Sequence, residues 1–254
     1  MRILAIDTSS QGGSVAVSAD GGPAEIVRLH EPSSHLVDLG KAVCAALAAA
    51  GTAVEKLDRV AIVTGPGSFT GLRVGMAYVK GLYAARGLDV VAMTSLELLA
   101  RQVAGGGLPV APMIDARKNE VYAALYAASA KQEPSHPAAE ALPGVVLQET
   151  VPVEKAAPCV VAPETFLSSL PRQETTFVGS GAVRYRDVVE RAFGTRARFV
   201  SHNEPDTQLF CRLAGILPPL DSEDVVALEP FYVRPSDVKL KPLKGVRVYD
   251  RNRS

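Results

Sequence analysis

Tryptophan is missing from this chain, and Phe and Tyr contribute only seven residues each. Its core must therefore be packed mostly by Ala, Val and Leu. Excess charge is missing too: 27 Lys and Arg balance 27 Asp and Glu, for a formal net charge of zero. A stand-alone nucleic-acid binder usually shows an overall basic excess, so contact with nucleic acid would need a local patch or a gripping partner. Three cysteines, Cys44, Cys159 and Cys211, lie far apart without a CxxC pair. That spacing fits reduced, buried thiols in a cytosol better than a disulfide frame. The four histidines, His30, His35, His136 and His202, form neither HxxxH nor HExxH, so no metal site is proposed. No Ser-His-Asp or Cys-His arrangement is legible, and no catalytic residue is assigned. No apolar run reaches membrane-spanning length, and strand-like sequence starting at Arg2 leaves no room for a signal peptide, so a cytoplasmic protein without a membrane partner is expected.

Apolar material itself is plentiful. At 254 residues with 47% hydrophobic content, the chain suits two modest domains or one large one and argues against disorder. The most informative stretch runs from Val60 to Gly75. A β-branched strand ends at Thr64, breaks in Gly65-Pro66-Gly67, and restarts at Ser68-Phe69-Thr70 as a helix dotted with glycines. The turn lacks the Gly-Lys-Ser/Thr of a Walker loop and the glycine spacing of a dinucleotide site. Its glycines and the following helix N-terminus could still hold an anion, which makes Gly65, Gly67 and Ser68 candidate phosphate-binding residues.

Near the N-terminus, Ile3 to Ile6 reads as a buried strand, Asp7 to Gly13 as a turn, Ser14 to Ala19 as a second strand and Ala24 to His30 as a third, an antiparallel meander. At the first turn Asp7, Thr8 and Ser9 could orient a metal-bound nucleotide phosphate. Equally, they could satisfy turn amides. A helix opened at Pro32-Ser33-Ser34 carries Leu36, Leu39, Val43 and Leu47 at helical spacing and stops at Gly51. The strand at Arg59–Thr64, the glycine-dotted helix to about Arg86, a strand at Asp89–Met93 and a helix from Thr94 complete a β-β-β-α-β-α-β-α order. Gly105-Gly106-Gly107 marks a hinge.

Past the hinge, strands are expected at Pro109–Ile114, Glu120–Ala127, near Val145–Glu149, and around Val160 and Phe177-Val178. Helices are expected at Ala182–Phe193 and Thr207–Leu217, and a polar excursion at Lys131 to Pro143. This divides the chain into a first lobe (1–104), a second lobe (105–217) and a C-terminal extension that packs back (218–254). Asp115 to Glu120 reads as a charged hairpin turn or as a ligand contact at the interlobe cleft. The tail bears Lys239, Lys241, Lys244, Arg247, Arg251 and Arg253, and reads as a solvated end or a phosphate-touching arm.

Gly67, Gly71 and Gly75 fall four apart and share a helix face. Each helical glycine costs about 1 kcal/mol relative to Ala, and close approach of another backbone is the usual compensation. Burial inside the same domain would supply it, and so would a partner's helix. The neighbouring Arg73, Tyr78, Leu82 and Tyr83 suit an interface, and the interface is the preferred expectation.

These pieces together resemble the TsaB family, also called YeaZ. The resemblance is carried by Ile3 to Ser9, His35-Leu36, Thr64 to Gly75, Asp115-Ala116-Arg117 with Glu120-Val121-Tyr122, and Pro230 to Arg234. It implies an α/β, two-lobed actin/sugar-kinase/Hsp70-like (ASKHA) fold with mixed sheets flanked by helices. It also implies a non-catalytic role in forming N6-threonylcarbamoyladenosine on tRNA. There a larger paralogue, TsaD, transfers the threonylcarbamoyl group from threonylcarbamoyl-AMP to the adenosine 3′ of the anticodon, using a metal held by an HxxxH motif that this chain lacks. The implied partners are a TsaD-like catalytic paralogue, a TsaE-like ATPase, a second copy of the chain when it is alone, and tRNA only through the complex. The implied partner face is Gly71, Arg73, Gly75, Tyr78 and Leu82, supported by Leu36 and Leu39. No cofactor is assigned; ATP or ADP at the partner interface is left open. The competing expectation is an independent ATP-dependent phosphotransferase of the same superfamily, with Gly179-Ser180-Gly181 as its second-lobe element. A metallopeptidase fails for want of metal ligands.

Overall fold

The computed structural model describes residues 1–29, 35–103, 106–127 and 153–233, and leaves out the side chains of 35–37. The expected N-cap at Pro32-Ser33-Ser34, the excursion at 131–143, the strand near 145–149 and the basic tail lie outside these residues, as does Gly105 of the hinge.

The first lobe begins with the expected meander: β1 (Ile3–Asp7), β2 (Ser14–Ser18) and β3 (Glu25–Arg28) pair antiparallel. After α1 (His35–Ala49), β4 (Arg59–Val63) joins β1 in parallel. The α2 helix (Phe69–Arg86) then returns the chain to β5 (Asp89–Met93), parallel to β4. β1 and β4 sit centrally in the order β3-β2-β1-β4-β5, and Leu4, Ile6, Val60 and Ile62 are fully buried, as continuous apolar strands flanked on both faces must be. Gly51 at φ +61° and Gly87 at φ +62° end α1 and α2 in the left-handed conformation.

The second lobe repeats this plan. β6 (Val110–Asp115), β7 (Val121–Ala127) and β8 (Val153–Val161) form an antiparallel meander, and β9 (Thr175–Val178) and β10 (Ala197–Phe199) extend β6 in parallel. The order β10-β9-β6-β7-β8 is that of the first sheet. Glycine placement repeats as well. After β4, a Cβ on Gly67 would overlap the Ser9 backbone at the end of β1; after β9, a Cβ on Gly179 would overlap the Met113 backbone near the end of β6. The two lobes thus share one topology, the expected two-lobed α/β fold with mixed sheets flanked by helices.

Five helices depart from expectation. The segment expected as one helix over 182–193 breaks at Tyr185 into α5 (Ser180–Arg184) and α6 (Arg186–Phe193), while α4 (Pro163–Ser169) was not anticipated. The α7 helix (Thr207–Ile216), assigned by sequence to the second lobe, packs on the first sheet. There Phe210, Cys211, Leu213 and Ala214 share a core with Ile3, Ala5, Ala61 and Val91. Conversely, α3 (Ser95–Arg101) keeps Leu98 in the first-lobe core but places Leu96, Leu99 and Ala100 against Val110, Ala124 and Val178 of the second. Crossed helices of this kind tie the lobes together through two apolar layers. α8 (Ser222–Ala227) runs back over the first lobe, where Val225 joins its core and the Val226 carbonyl accepts from Lys80 Nζ at 2.8 Å.

Candidate functional site: an interlobe cleft and a helical face

The Asp7 carboxylate, a candidate phosphate and metal ligand, is 1% exposed. Its Oδ1 accepts from the Ser9 amide at 2.8 Å and the Ser9 hydroxyl at 2.5 Å, and its Oδ2 accepts from Ser10 Oγ at 2.8 Å. Burial outweighs these bonds and holds its pKa above the ordinary 3.8. Asp7 thus satisfies turn donors, the plainer of its two sequence readings. Thr8 is also buried, and its Oγ1 has no hydrogen-bond partner among the described residues.

Thr8 and Ser9 are the reason for the glycines. A Cβ on Gly67 would overlap the Ser9 carbonyl, one on Gly71 the Thr8 carbonyl, and one on Gly75 the Thr8 hydroxyl. The preferred expectation that Gly71 and Gly75 face a partner is therefore corrected. They face inward, and the close backbone approach that offsets their helical cost comes from the chain's own hairpin. Gly67 precedes α2 altogether, and Ser68 is its N-cap, with Oγ accepting from the Gly71 amide at 3.2 Å. The turn is fixed from behind by Ser95, whose amide and hydroxyl donate to the carbonyls of Gly65 and Pro66 across a cis Gly65-Pro66 bond. Gly65 is closed in by Leu72 and the Phe231 carbonyl.

Ser9, Gly67 and Ser68 do reach open space. They line a cleft of about 520 Å³ between the lobes, with Ser10, Gln11 and Phe69 on the same wall. The opposite wall carries Asp115, Ala116, Arg117, Tyr122, Ser180 and Arg184, with Asn203 and Glu204 beside them. The Asp115–Glu120 segment is a tight hairpin, the plainer of its two sequence readings, and its Asp115, Ala116 and Arg117 line the cleft. Asp115 is shared by two guanidiniums, Arg184 at 3.4 Å and Arg117 at 4.0 Å, while its amide donates to Ser180 Oγ at 3.1 Å. Arg117, Lys118 and Asn119 all adopt left-handed φ, at 62°, 51° and 57°. Arg184, Asn203 and Glu204 had no sequence signal, because they come from separate elements that only the second lobe's topology brings together.

The first lobe's outer surface is the face of α1 and α2. Leu39, expected to support an interface, is instead 1% exposed and belongs to the core with Val43 and Leu47. Leu36 lies outside the described side chains. Tyr78 and Leu82 are half-buried against the same core, and burial raises the Tyr78 pKa. After Phe69 and Thr70 at its start, α2 shows Arg73, Ala77, Gly81, Ala84, Ala85 and Arg86 to solvent, and α1 adds Lys41, Cys44, Ala45, Ala48 and Ala49. A Cβ on Gly81 would meet nothing within 4 Å, so this helical glycine, unlike Gly71, has no internal neighbour that requires it. Arg73 stacks on Phe69, 3.8 Å from the ring centroid, and its Nε donates to Tyr232 Oη at 3.1 Å.

Among the described residues, no three His, Cys, Asp or Glu side chains stand close enough to hold a metal ion. Nor, among them, is any helix long and apolar enough to cross a membrane.

Comparison with known proteins fits this geometry. The family model described as TsaD, tRNA N6-adenosine threonylcarbamoyltransferase, matches residues 30–211. A protein of Bacillus subtilis named as tRNA threonylcarbamoyladenosine biosynthesis protein TsaB is 25% identical over 95% of this chain and 97% of its own length. The Escherichia coli protein of that name is 36% identical over 50% of this chain, a match spanning 55% of the relative. The YeaZ structure from Pseudomonas aeruginosa superposes with a TM-score of 0.70 and 26% identity, covering 91% of this chain and 99% of that one. With well over half its length inside the threonylcarbamoyltransferase model, the chain belongs to that family, on its TsaB/YeaZ branch.

Proposed function

We propose that this chain is a non-catalytic partner subunit in the synthesis of N6-threonylcarbamoyladenosine on tRNA, and that it pairs through its α1–α2 face with a TsaD-like catalytic subunit. The observation that carries this reading is the engagement of Asp7. An enzyme of this fold acting on a nucleotide would need an acid at the end of β1 free to address a metal-bound phosphate. Here both carboxylate oxygens are spent on Ser9 and Ser10, in a hairpin pressed against α2 with no room for a side chain between them.

The pairing surface is not the glycine strip expected from sequence but the side facing the other way. Gly81, Ala77 and Ala84 on α2, beside Cys44, Ala45 and Ala48 on α1, leave the helix backbones uncovered, while Tyr78 and Leu82 give half-buried apolar flanks. Gly81 costs about 1 kcal/mol in a helix, with nothing of its own chain to justify it. A partner helix resting there supplies the missing compensation. The same face serves a second copy of this chain when the catalytic subunit is absent. A TsaE-like ATPase joins the assembled pair.

The test is capture of the TsaD-like subunit on immobilised chain, followed by reconstitution of tRNA modification. The unaltered chain is expected to capture it and restore modification, with no ATP hydrolysis or tRNA modification of its own. Gly81→Leu and Ala77→Arg are expected to abolish both capture and restoration while keeping the native melting transition. Turnover by the isolated chain, or undiminished capture by both variants, overturns the proposal.

A further inference from the structure

The two lobes present opposite chemistry at one topological position. In the first, α2 connects β4 to β5, and its exposed side between Arg73 and Arg86 is Ala77, Gly81, Ala84 and Ala85. In the second, α5 and α6 connect β9 to β10, and the surface there is arginine. Between Pro171 and Val200 stand six arginines (Arg172, Arg184, Arg186, Arg191, Arg196 and Arg198), all exposed, with no lysine and three acids. That stretch carries a formal +3 in a chain whose net charge is zero. Cations clustered in this way are the electrostatic footprint of a polyanion site.

Ion pairing accounts for three of the six: Arg184 stands by Asp115, Arg186 by Glu190 and Arg198 by Glu174. Arg172, Arg191 and Arg196 make no ion pair among the described residues. Each donates instead to a backbone carbonyl of α6: Arg172 to Ala192 at 2.6 Å, Arg191 to Asp187 at 3.2 Å and Arg196 to Phe193 at 3.4 Å. Arg172 also lies over the Phe193 ring, 5.7 Å from its centroid. Closing a helix end is the ordinary use of a cation in this position, and Gly194, at φ +56°, already returns its amide to the Glu190 carbonyl. One guanidinium would complete that job. Three, each spending a single one of its five N–H donors, leave positive charge held in place at the surface.

We propose that the C-terminal end of α6, through Arg172, Arg191 and Arg196, binds the phosphate backbone of helical RNA. Guanidiniums already tied to the protein backbone lose less freedom on meeting phosphates, and their planar forks match phosphate oxygens. The rings beneath them, Phe193 and Phe199, are buried and half-buried. No exposed ring there offers a platform for unpaired bases, so the contact is to the backbone of a duplex stem. Choosing RNA among polyanions rests on the function proposed above; the charge does not. The patch is on the other lobe from the α1–α2 pairing face, and the two contacts use separate residues.

The experiment is an anisotropy titration of the isolated full-length chain with a labelled RNA hairpin, whose stem of about 16 base pairs offers phosphates across more than one groove. Changing Arg172, Arg191 and Arg196 together to Gln is expected to weaken binding by about tenfold or more near roughly 0.1 M salt. The slope of log affinity against log salt is expected to fall by about 2–3, near one for each lost phosphate contact. Lys at the same three positions keeps the charge and is expected to keep the slope. Arg86→Gln removes an exposed guanidinium tied to the Glu55 carbonyl on the first lobe, and is expected to leave affinity unchanged. Affinity unmoved by the three Gln substitutions overturns the proposal, as does a Lys variant that loses as much as the Gln variant. So does an Arg86→Gln loss equal to that of the triple change, or capture of vesicles rich in anionic phospholipid with the hairpin ignored. Because no other protein is present, failed capture of the TsaD-like subunit alongside RNA binding that follows the three arginines counts against the partner reading alone, and the reverse pattern counts against this one alone.

Discussion

The backbone carbonyl of Thr8 occupies the space in which a Cβ on Gly71 would stand. One turn later, the Thr8 hydroxyl does the same to Gly75, so α2 lies on the first hairpin with no side chain between them. Overpacking here must move backbone rather than a flexible side-chain end, and Gly71→Ala is expected to cost about 1–3 kcal/mol, or more. Gly81→Ala enters open space on the same helix and is expected to stabilise by about 0.5–1 kcal/mol. Paired urea denaturation curves check both. Equal effects at the two positions would contradict the packing described.

That contrast shows what a sequence can and cannot yield. Spacing of four puts Gly71 and Gly75 on one face of a helix, and the cost of glycine says that something must come close. Neither fact says which way the face points, because that depends on where β1 ends in space. The meander at Ile3–Arg28 was legible, since alternating or continuous apolar residues bounded by Gly-rich turns leave few other readings. The destination of α7 was not. Its apolar stripe of Phe210, Leu213 and Ala214 fits any sheet, and only tertiary topology sends it back across the cleft to Ile3 and Ala5. Likewise Arg184 and Asn203 reach the cleft from elements whose sequence is ordinary. The break at Tyr185 carries neither Gly nor Pro to announce it.

Buried Asp7 makes a pH signature. Its folded pKa is raised by desolvation, so the stabilisation it contributes is fully present below the ordinary value of 3.8 and is lost as pH rises through the raised folded value. Above that value the fold carries a desolvated carboxylate. Asp7→Asn removes the charge and keeps an oxygen that can accept from Ser9. The melting temperature of the variant relative to the parent is therefore expected to be more favourable near pH 8 than near pH 4, close to the ordinary carboxylate value. Scanning calorimetry at the two pH values checks the sign; a variant that gains relative stability on acidification would contradict it.

The three thiols should differ sharply in reactivity. Cys211 is buried, its Sγ within 3.7 Å of the Ile3 carbonyl and 3.5 Å of the Ala16 carbonyl, and burial pushes its pKa up to about 12. Cys159 is half-buried with its pKa also raised by burial, whereas Cys44 is exposed on α1. Thiolate fraction and access together set the rate of alkylation. At mildly alkaline pH, Cys44 is expected to react with N-ethylmaleimide first, and Cys211 only after unfolding, as read by peptide mass spectrometry. Because Cys44 lies on the proposed pairing face, the singly modified chain is expected to keep its fold and lose capture of the catalytic partner.

Arg59 ties the returning helix to the first sheet. Its side chain is 12% exposed, and its guanidinium donates to the carbonyls of Ala214 and Leu217, where α7 ends, and to the Asp89 carboxylate at 3.0 Å. A cation at a helix C-terminus satisfies carbonyls that no amide reaches and complements the helix dipole. Arg59→Met keeps much of the apolar stem but leaves those carbonyls without their donor. Hydrogen bonds from a charged group contribute about 1.5–3 kcal/mol each when lost from a shielded site, and the Asp89 pair, half-exposed on its acidic side, adds little. With two carbonyls losing their donor, a total loss of about 3–6 kcal/mol in urea denaturation is expected. It should be accompanied by faster amide hydrogen exchange across Phe210–Leu217 than across β1, because the helix loosens before the sheet beneath it opens.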